Sequence, residues 1–196
     1  MMSETVQNNV SSPPGRRIAI IGVTGSGKTT LARQISAILG IPHVELDSLH
    51  WGPNWVMAET DAFRSQVTHA LACDEWVTDG NYSKARDIIW ERADTIVWLD
   101  YSLPVILWQL VSRTLWRIIT REELWNTNRE TWRGALFSKD SLFLFAVQSH
   151  PRHRKSYPEL FQKPENAHLR VIRLKNRRET LHWLMQLREN AASPLA

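Results

Sequence analysis

Residues 18 to 34, IAIIGVTGSGKTTLARQ, leave this chain few ways to fold. Four apolar residues run into a glycine-rich turn, and an amphipathic run follows. Gly22-Val23-Thr24-Gly25-Ser26-Gly27-Lys28-Thr29 fits G-x-x-x-x-G-K-S/T at every fixed position. The glycines, with Thr24 and Ser26 between them, let the backbone curl so that its N–H groups point inward at a phosphate. The helix beginning near Lys28 adds its positive N-terminal end. Lys28 supplies a point charge for β- and γ-phosphates, and Thr29 a hydroxyl for Mg²⁺. Thr30 is a second hydroxyl within reach of an α-phosphate. Such a loop needs a buried strand before it and an amphipathic helix after it, and both are written here. The ligand expected is a nucleoside triphosphate with Mg²⁺.

Apolar spacing extends this unit along the chain. Short buried runs at Arg17 to Ile21, His43 to Leu46, Trp76 to Thr78, Thr95 to Leu99 and Leu169 to Leu174 read as strands. Helical spacing marks Thr29 to Leu39, Glu59 to Ala72, Ser83 to Glu91, Leu103 to Thr120 and Arg178 to Glu189. Leu142 to Tyr157 reads as a helix broken at Pro151. Strands alternating with helices predict an α/β fold, a parallel sheet covered on both faces. Its crossovers are right-handed, and ligands bind beyond the carboxyl ends of its strands. A length of 196 residues suits one domain. Residues 1–15, with Ser-Ser-Pro-Pro-Gly, read as a loose tail before a single domain over 16–196.

Other compositional features set bounds on function. The one cysteine, Cys73, excludes an internal disulfide framework and an all-cysteine zinc site. No stretch of about 18 apolar residues is present. The nearest, Leu103 to Ile119, is interrupted by Gln109, Arg113 and Arg117, so no membrane span is expected. The N-terminus lacks the apolar centre of a signal peptide, which makes a cytoplasmic location the expectation. The net charge of +4 suits anionic small molecules as well as nucleic acid.

A phosphate loop needs an acid for the metal's water shell. Asp79 in EWVTDGNY and Asp100 in TIVWLDYS both end apolar strands, and both qualify. Gly80 lets backbone approach a ligand beside Asp79, which favours Asp79. Asp100 then reads as a strand-end or cap residue. Asp47 in HVELDSLHW ends the second strand on the same edge, as a turn cap or as the group facing a phosphate acceptor.

Together, the phosphate loop, LDSLHW, DGNY, VWLD and TREELWNTNRE resemble the adenylate kinase-like P-loop proteins. More narrowly, they resemble the group labelled DNA topology modulation protein or adenylate kinase-related kinase. The likeness covers about residues 17 to 185. It implies a nucleoside-monophosphate-kinase-like fold with five parallel strands in the order 2-3-1-4-5. It also implies an acceptor lobe near 47–73 and a helical lid region near 113–157. Adenylate kinases carry Asp-Gly-Phe-Pro-Arg after strand three, where Asp serves the metal and Arg grips the acceptor phosphate. Here Asp79 and Gly80 match, while Asn81, Tyr82 and Ser83 depart from it. The metal role carries over to Asp79, and Arg86 is the candidate for the arginine. His50, Trp51 and Tyr82 fall where the acceptor would lie. There, aromatics either stack on it or pack on one another. Arg113, Arg117 and Arg121, at i, i+4 and i+8, share one helix side, as a phosphate clamp or a solvated face. Arg177, after the last strand, lies where adenylate kinases place the loop under the adenine.

Two features stay open. His150-Pro151-Arg152-His153-Arg154-Lys155 is the densest basic run, either a set of phosphate contacts or a solvated face. Trp108 and Trp116 lie opposite the apolar stripe of their helix and want a second cover, from the lid or another subunit. The activity expected is transfer of the γ-phosphoryl of MgATP to a small acceptor, nucleoside-monophosphate-like or other. Lys28, Asp47, Asp79 and the three arginines would be its catalytic residues. The competing expectations are an ATPase that modulates DNA or another macromolecule, and a nucleotide binder with vestigial turnover.

Overall fold

The computed structural model describes residues 14–120 and 142–192. Strand β1 (Arg17–Gly22) is the middle of a five-stranded sheet, and Ile18 to Gly22 are buried. It pairs in parallel with β3 (Trp76–Asp79) on one side and β4 (Thr95–Leu99) on the other. The edges are β2 (His43–Glu45) beside β3 and β5 (Arg170–Leu174) beside β4, also parallel. The order is β2-β3-β1-β4-β5, the order implied by the resemblance. The register sets Ile20 against Asp79 and Gly22 against Leu99, so the strands finish on one edge.

Alternate side chains of β1 point to opposite faces and serve two cores. Ile18 and Ile20 pack with Leu31 and Ile35 of α1 (Lys28–Leu39) and with Trp183 and Leu187 of α7 (Arg177–Ala192). Ala19 and Ile21 pack with Phe63 and Val67 of α3 (Thr60–Ala70) and with Ile89 and Trp90 of α4 (Arg86–Arg92). A sheet covered on both faces has no polar side, which is why its strands read as continuous apolar runs.

The structure departs from expectation in two places. β2 stops at Glu45, and Asp47 lies in a short helix, α2 (Leu46–His50), rather than at a strand end. Leu46, the first residue of that helix, is buried with its side chain close against Gly80. The second departure is α6 (Leu142–Phe161), which runs straight through Pro151 and Pro158. A proline inside a helix removes a backbone donor and costs about 3 kcal/mol. Tertiary contacts offset that. Ala146 is buried in the first core and Tyr157 in the second, so α6 crosses the carboxyl end of the sheet. Tyr157 meets Trp98 edge-on at 5.5 Å, and Phe161 stacks on Trp90 at 5.4 Å. His150 Nε2 lies 3.0 Å from the carbonyl of Tyr101.

Helix α5 (Leu103–Thr120) buries Ile106 and Leu110 against the first core. Its other side leaves Trp108 and Trp116 exposed, at 72% and 66%. Among the described residues, no helix is long and apolar enough to cross a membrane.

Asp100 pins α6 to the sheet. Arg173 of β5 donates to its Oδ2 from two nitrogens, at 2.5 and 3.0 Å, and the same guanidinium lies 4.5 Å from the Trp98 ring centre. Arg154 of α6 meets Oδ1 at 3.0 Å. Asp100 is the buried member of this set while Arg154 is about half exposed, so removing the carboxylate falls mainly on the less exposed Arg173. Asp100→Ala should therefore lose roughly 2–3 kcal/mol in urea unfolding. Asp87→Ala, which breaks the exposed Arg64–Asp87 pair, should shift the midpoint far less.

Candidate active site

The loop between β1 and α1 lies at the centre of the carboxyl edge. Gly25 has φ +80°, and a β-carbon there would sit 3.1 Å from Leu110 Cβ and 3.2 Å from the Ile106 carbonyl. Only glycine both accepts that backbone and lets α5 pass so close. Lys28 Nζ donates to the carbonyls of Gly22 and Val23, at 3.0 and 3.2 Å, and so spans the loop. Burial pulls the Lys28 pKa down; the charges of Asp47 and Asp79 oppose this and Arg113 adds to it. Those four groups therefore share one field. Ser26 Oγ, within the loop, is buried without a hydrogen-bond partner, a donor that a phosphate oxygen would suit. Thr24 is half-buried and Thr30 exposed, on either side of the loop.

Asp79 closes the floor. Its Oδ2 accepts from Thr29 Oγ1 at 2.6 Å, and its Oδ1 lies 2.6 Å from His43 Nε2. A hydroxyl beside a buried carboxylate supplies the hard oxygen donors Mg²⁺ takes, and the ion keeps several waters besides. These residues fit the metal. Asp100, the other strand-end acid, is engaged by Arg154 and Arg173. Next to Asp79, Asn81 brackets the end of β1. Its Oδ1 accepts from Gly22 N at 3.1 Å, and its Nδ2 donates to the Gly22 carbonyl. The departure from Phe-Pro-Arg thus places a clamp on the phosphate loop itself.

Asp47, whose charge also bears on Lys28, is paired with Tyr82. The Tyr82 hydroxyl donates to Asp47 Oδ1 at 2.5 Å. Burial, then the Asp47 charge, push the Tyr82 pKa far up, so the hydroxyl keeps its proton and remains a donor. The rings of His50, Phe63 and Tyr82 are mutually packed, with centroids 4.5 to 5.1 Å apart. Trp51 meets His50 at 4.9 Å and Trp55 at 5.7 Å. The aromatics of this lobe therefore pack on one another. Burial lowers the His50 pKa, with Lys84 adding to it.

The remaining candidates divide. Arg86 lies 5.5 Å over the Trp90 ring and lines a cleft with Gly80, Asn81, Tyr82 and Tyr157. Arg113 approaches Lys28, while Arg117 lies one turn on, half-buried. Arg121 falls outside the described residues. Arg177 opens α7, exposed and close enough for its charge to bear on Tyr101. Its neighbours cap the helix start: Asn176 Oδ1 accepts from Glu179 N, and Glu179 Oε2 accepts from Lys175 N, one residue before the cap.

Sequence reasoning did not single out His43, Asn81 or His153. His43 opens a strand and carries no local signal. Asn81 is visible only as a departure. His153 belonged to the undecided basic run, but His153, Tyr157 and Phe161 at i, i+4 and i+8 form a stripe that spacing can find. The structure divides that run. His150 anchors to Tyr101 and Arg154 to Asp100. His153 stacks on Tyr157 at 4.9 Å, within the field of Lys28 and Arg86.

No family model matches the chain, and no curated protein does. Solved structures do. A gluconokinase from Sinorhizobium meliloti 1021 aligns at 19% identity and TM-score 0.50, over 92% of this chain and 98% of that one. The shikimate kinase from Bacteroides thetaiotaomicron aligns at 15% and 0.53, over 91% and 99%. Deoxyadenosine kinase from M. mycoides aligns at 10% and 0.53, over 89% and 97%. The chain has the P-loop kinase fold. At these identities the likeness covers the P-loop kinase architecture and leaves the chemistry to the residues.

Burial pushes the His153 imidazole down to about 4, with Arg152, Lys28, Arg86 and His150 adding to the effect. The ordinary value for the ring is 6.5, so between the two the unfolded chain binds more protons. The stability this provides is complete above about pH 6.5 and is lost as pH falls toward 4. His153→Phe keeps the ring on Tyr157 and removes the titration. In thermal unfolding from pH 7 to 4, this variant should lose less stability than the unaltered chain. Parallel curves would remove His153 from the account.

Proposed function

We propose that this chain transfers the γ-phosphoryl of MgATP to a small acceptor. One observation carries the reading, two carboxylates within the field of Lys28, each bonded by a different hydroxyl. Asp79 is paired with Thr29, a pair that suits the metal, and Asp47 is paired with Tyr82, a pair that suits the acceptor. The first pair serves ATPase and kinase alike. The second supplies a base where an acceptor hydroxyl would lie. The gluconokinase and shikimate kinases among the structural neighbours support a small acceptor. LDSLHW and DGNY support membership of the adenylate kinase-related group, with an acceptor lobe near 47–73 and a lid near 113–157. A cytoplasmic location suits an ATP-dependent reaction.

In this reading the loop from Gly22 to Thr29, with Thr30, binds the phosphates, and Arg177 lies beside the base. Tyr82 donates to one oxygen of Asp47 and leaves the other free to take the acceptor's proton. The acceptor oxygen then forms its bond to the γ-phosphorus while the bond to the β–γ bridging oxygen breaks, and ADP leaves. Lys28, Arg113, Arg117 and Arg121, with Arg86 on the acceptor, balance charge on the transferring group. Thr29, and Asp79 through water, would hold Mg²⁺, which supplies charge neutralisation at the phosphates when bound.

The test incubates the chain with Mg²⁺, labelled ATP and a panel of nucleoside monophosphates, sugars and small acids. Label should pass to one class of acceptor, with little response to DNA. Transfer to none of them, with hydrolysis rising only on added DNA, would replace this reading with the macromolecule-modulating one. Lys28→Ala should abolish turnover. Asp47→Asn should lower kcat by about 10²–10⁴-fold with nucleotide binding kept, because general-base catalysis contributes on that order. An unchanged kcat in Asp47→Asn would remove Asp47 as the base.

A further inference from the structure

Asp79 is held from two directions, and the phosphate loop accounts for only one. Its side chain is 3% exposed at the end of β3, between β1 and β2. Thr29 of α1 donates to Oδ2 at 2.6 Å. On the far side, His43 of β2 reaches Oδ1, also at 2.6 Å, with its own side chain 14% exposed. An ionised carboxylate only accepts hydrogen bonds, so with Asp79 ionised the imidazole donates from Nε2.

The two contacts have unequal duties. The Thr29 hydroxyl has one proton and two lone pairs. It can donate to Asp79 and still offer an oxygen lone pair to a cation. A carboxylate turns readily about its last torsion, whose energy wells are broad and roughly two-fold. With Thr29 alone, the plane of Asp79 would be free to tip. A second donor on the other oxygen fixes that plane and leaves the remaining lone pairs in set directions. The register makes this possible, since β2 pairs with β3 from His43 opposite Val77 to Glu45 opposite Asp79. His43 therefore begins two residues back from Asp79 and leans along the strands to reach it.

We infer that His43 is a positioning residue, orienting Asp79 toward the water shell of the metal that accompanies the nucleotide. The inference rests on the MgATP reading above. It separates two parts of nucleotide binding. The loop's N–H groups and Lys28 take the phosphates without His43. The gain in affinity that Mg²⁺ adds depends on Asp79 being correctly turned, and so on His43. Groups that orient a metal's supporting ligands commonly change metal affinity by 10–100-fold when removed.

The experiment measures binding of a non-hydrolysable ATP analogue by calorimetry, with Mg²⁺ raised from zero, on the full chain. His43→Leu removes the donor. His43→Gln places an amide N–H near the position of Nε2. In His43→Leu the Mg²⁺ concentration for half-maximal effect should rise about tenfold or more. Its Mg²⁺-free affinity should stay close to that of the unaltered chain. His43→Gln should recover most of the Mg²⁺ response. If His43→Leu does not fold, His43→Ala carries the same comparison. An equal Mg²⁺ response in the unaltered chain and the donor-less variant would overturn the inference. Equal losses in the Gln and Leu variants would also overturn it, because ring packing rather than the donor would then matter. If the unaltered chain itself ignores Mg²⁺, the MgATP reading fails first and takes the inference with it.

Discussion

Strand β1 is buried on both faces, and that single constraint decides where chemistry can occur. A strand with no polar side carries nothing reactive along its length. Whatever it contributes must emerge at its end. At that end the chain turns through Gly22 to Gly27 into α1, and the neighbouring strands deliver Asp79 level with Ile20 and Asp100 just past the level of Gly22. The register does the rest. Asp79 lies opposite Ile20, directly below the loop, within reach of Thr29. Asp100 follows β4, and there it meets Arg173 and Arg154 instead. Two acids that look equivalent in sequence are separated by which neighbours their strands have. One lies beside the phosphate loop and the other beside an arginine-bearing edge strand.

The same reasoning says what the sequence could carry. β1, its loop and α1 were legible because glycine positions, apolar alternation and helix spacing are local and agree with one another. The five strands were legible for the same reason, to within a residue or two at their ends. The sheet order came from resemblance, since no local pattern says which strands are neighbours. What stayed hidden depends on contacts across that order. His43 matters only because β2 lies beside β3. Asn81 matters only because its side chain meets the backbone of Gly22, which lies 59 positions away in sequence. The expected break at Pro151 followed a sound local rule, and tertiary packing of Tyr157, Phe161 and His150 overrode it. Local propensity yields in this way when a helix has enough to bury.

The course of α6 also explains how one helix serves both fold and site. It begins against the first core at Ala146 and ends against the second at Tyr157, so its middle must pass over the carboxyl edge. Helical spacing then sorts the basic run without any further instruction. Arg154 faces down to Asp100, and His153 lies on Tyr157 near Lys28 and Arg86. Residues that read as one basic cluster become structural ties and members of the site, according to their angle around the helix axis.

That arrangement gathers positive charge before any ligand is present. Lys28, Arg113, Arg86 and Arg152 converge on one end of the molecule, and like charges at short range oppose one another. Three features moderate the repulsion. Asp47 and Asp79 lie within the field of Lys28. The Lys28 ammonium is occupied by the Gly22 and Val23 carbonyls. His153, a titratable ring in the same field, stays neutral because burial and these same cations disfavour its proton. An anionic ligand would reverse the balance on which each of these depends. Phosphates would compete with the two carbonyls for Lys28, and negative charge beside His153 would raise its proton affinity. The site is thus built around a charge it does not itself contain. The same field that strains the free protein would favour the bound one, which ties its stability to occupancy by a polyanion.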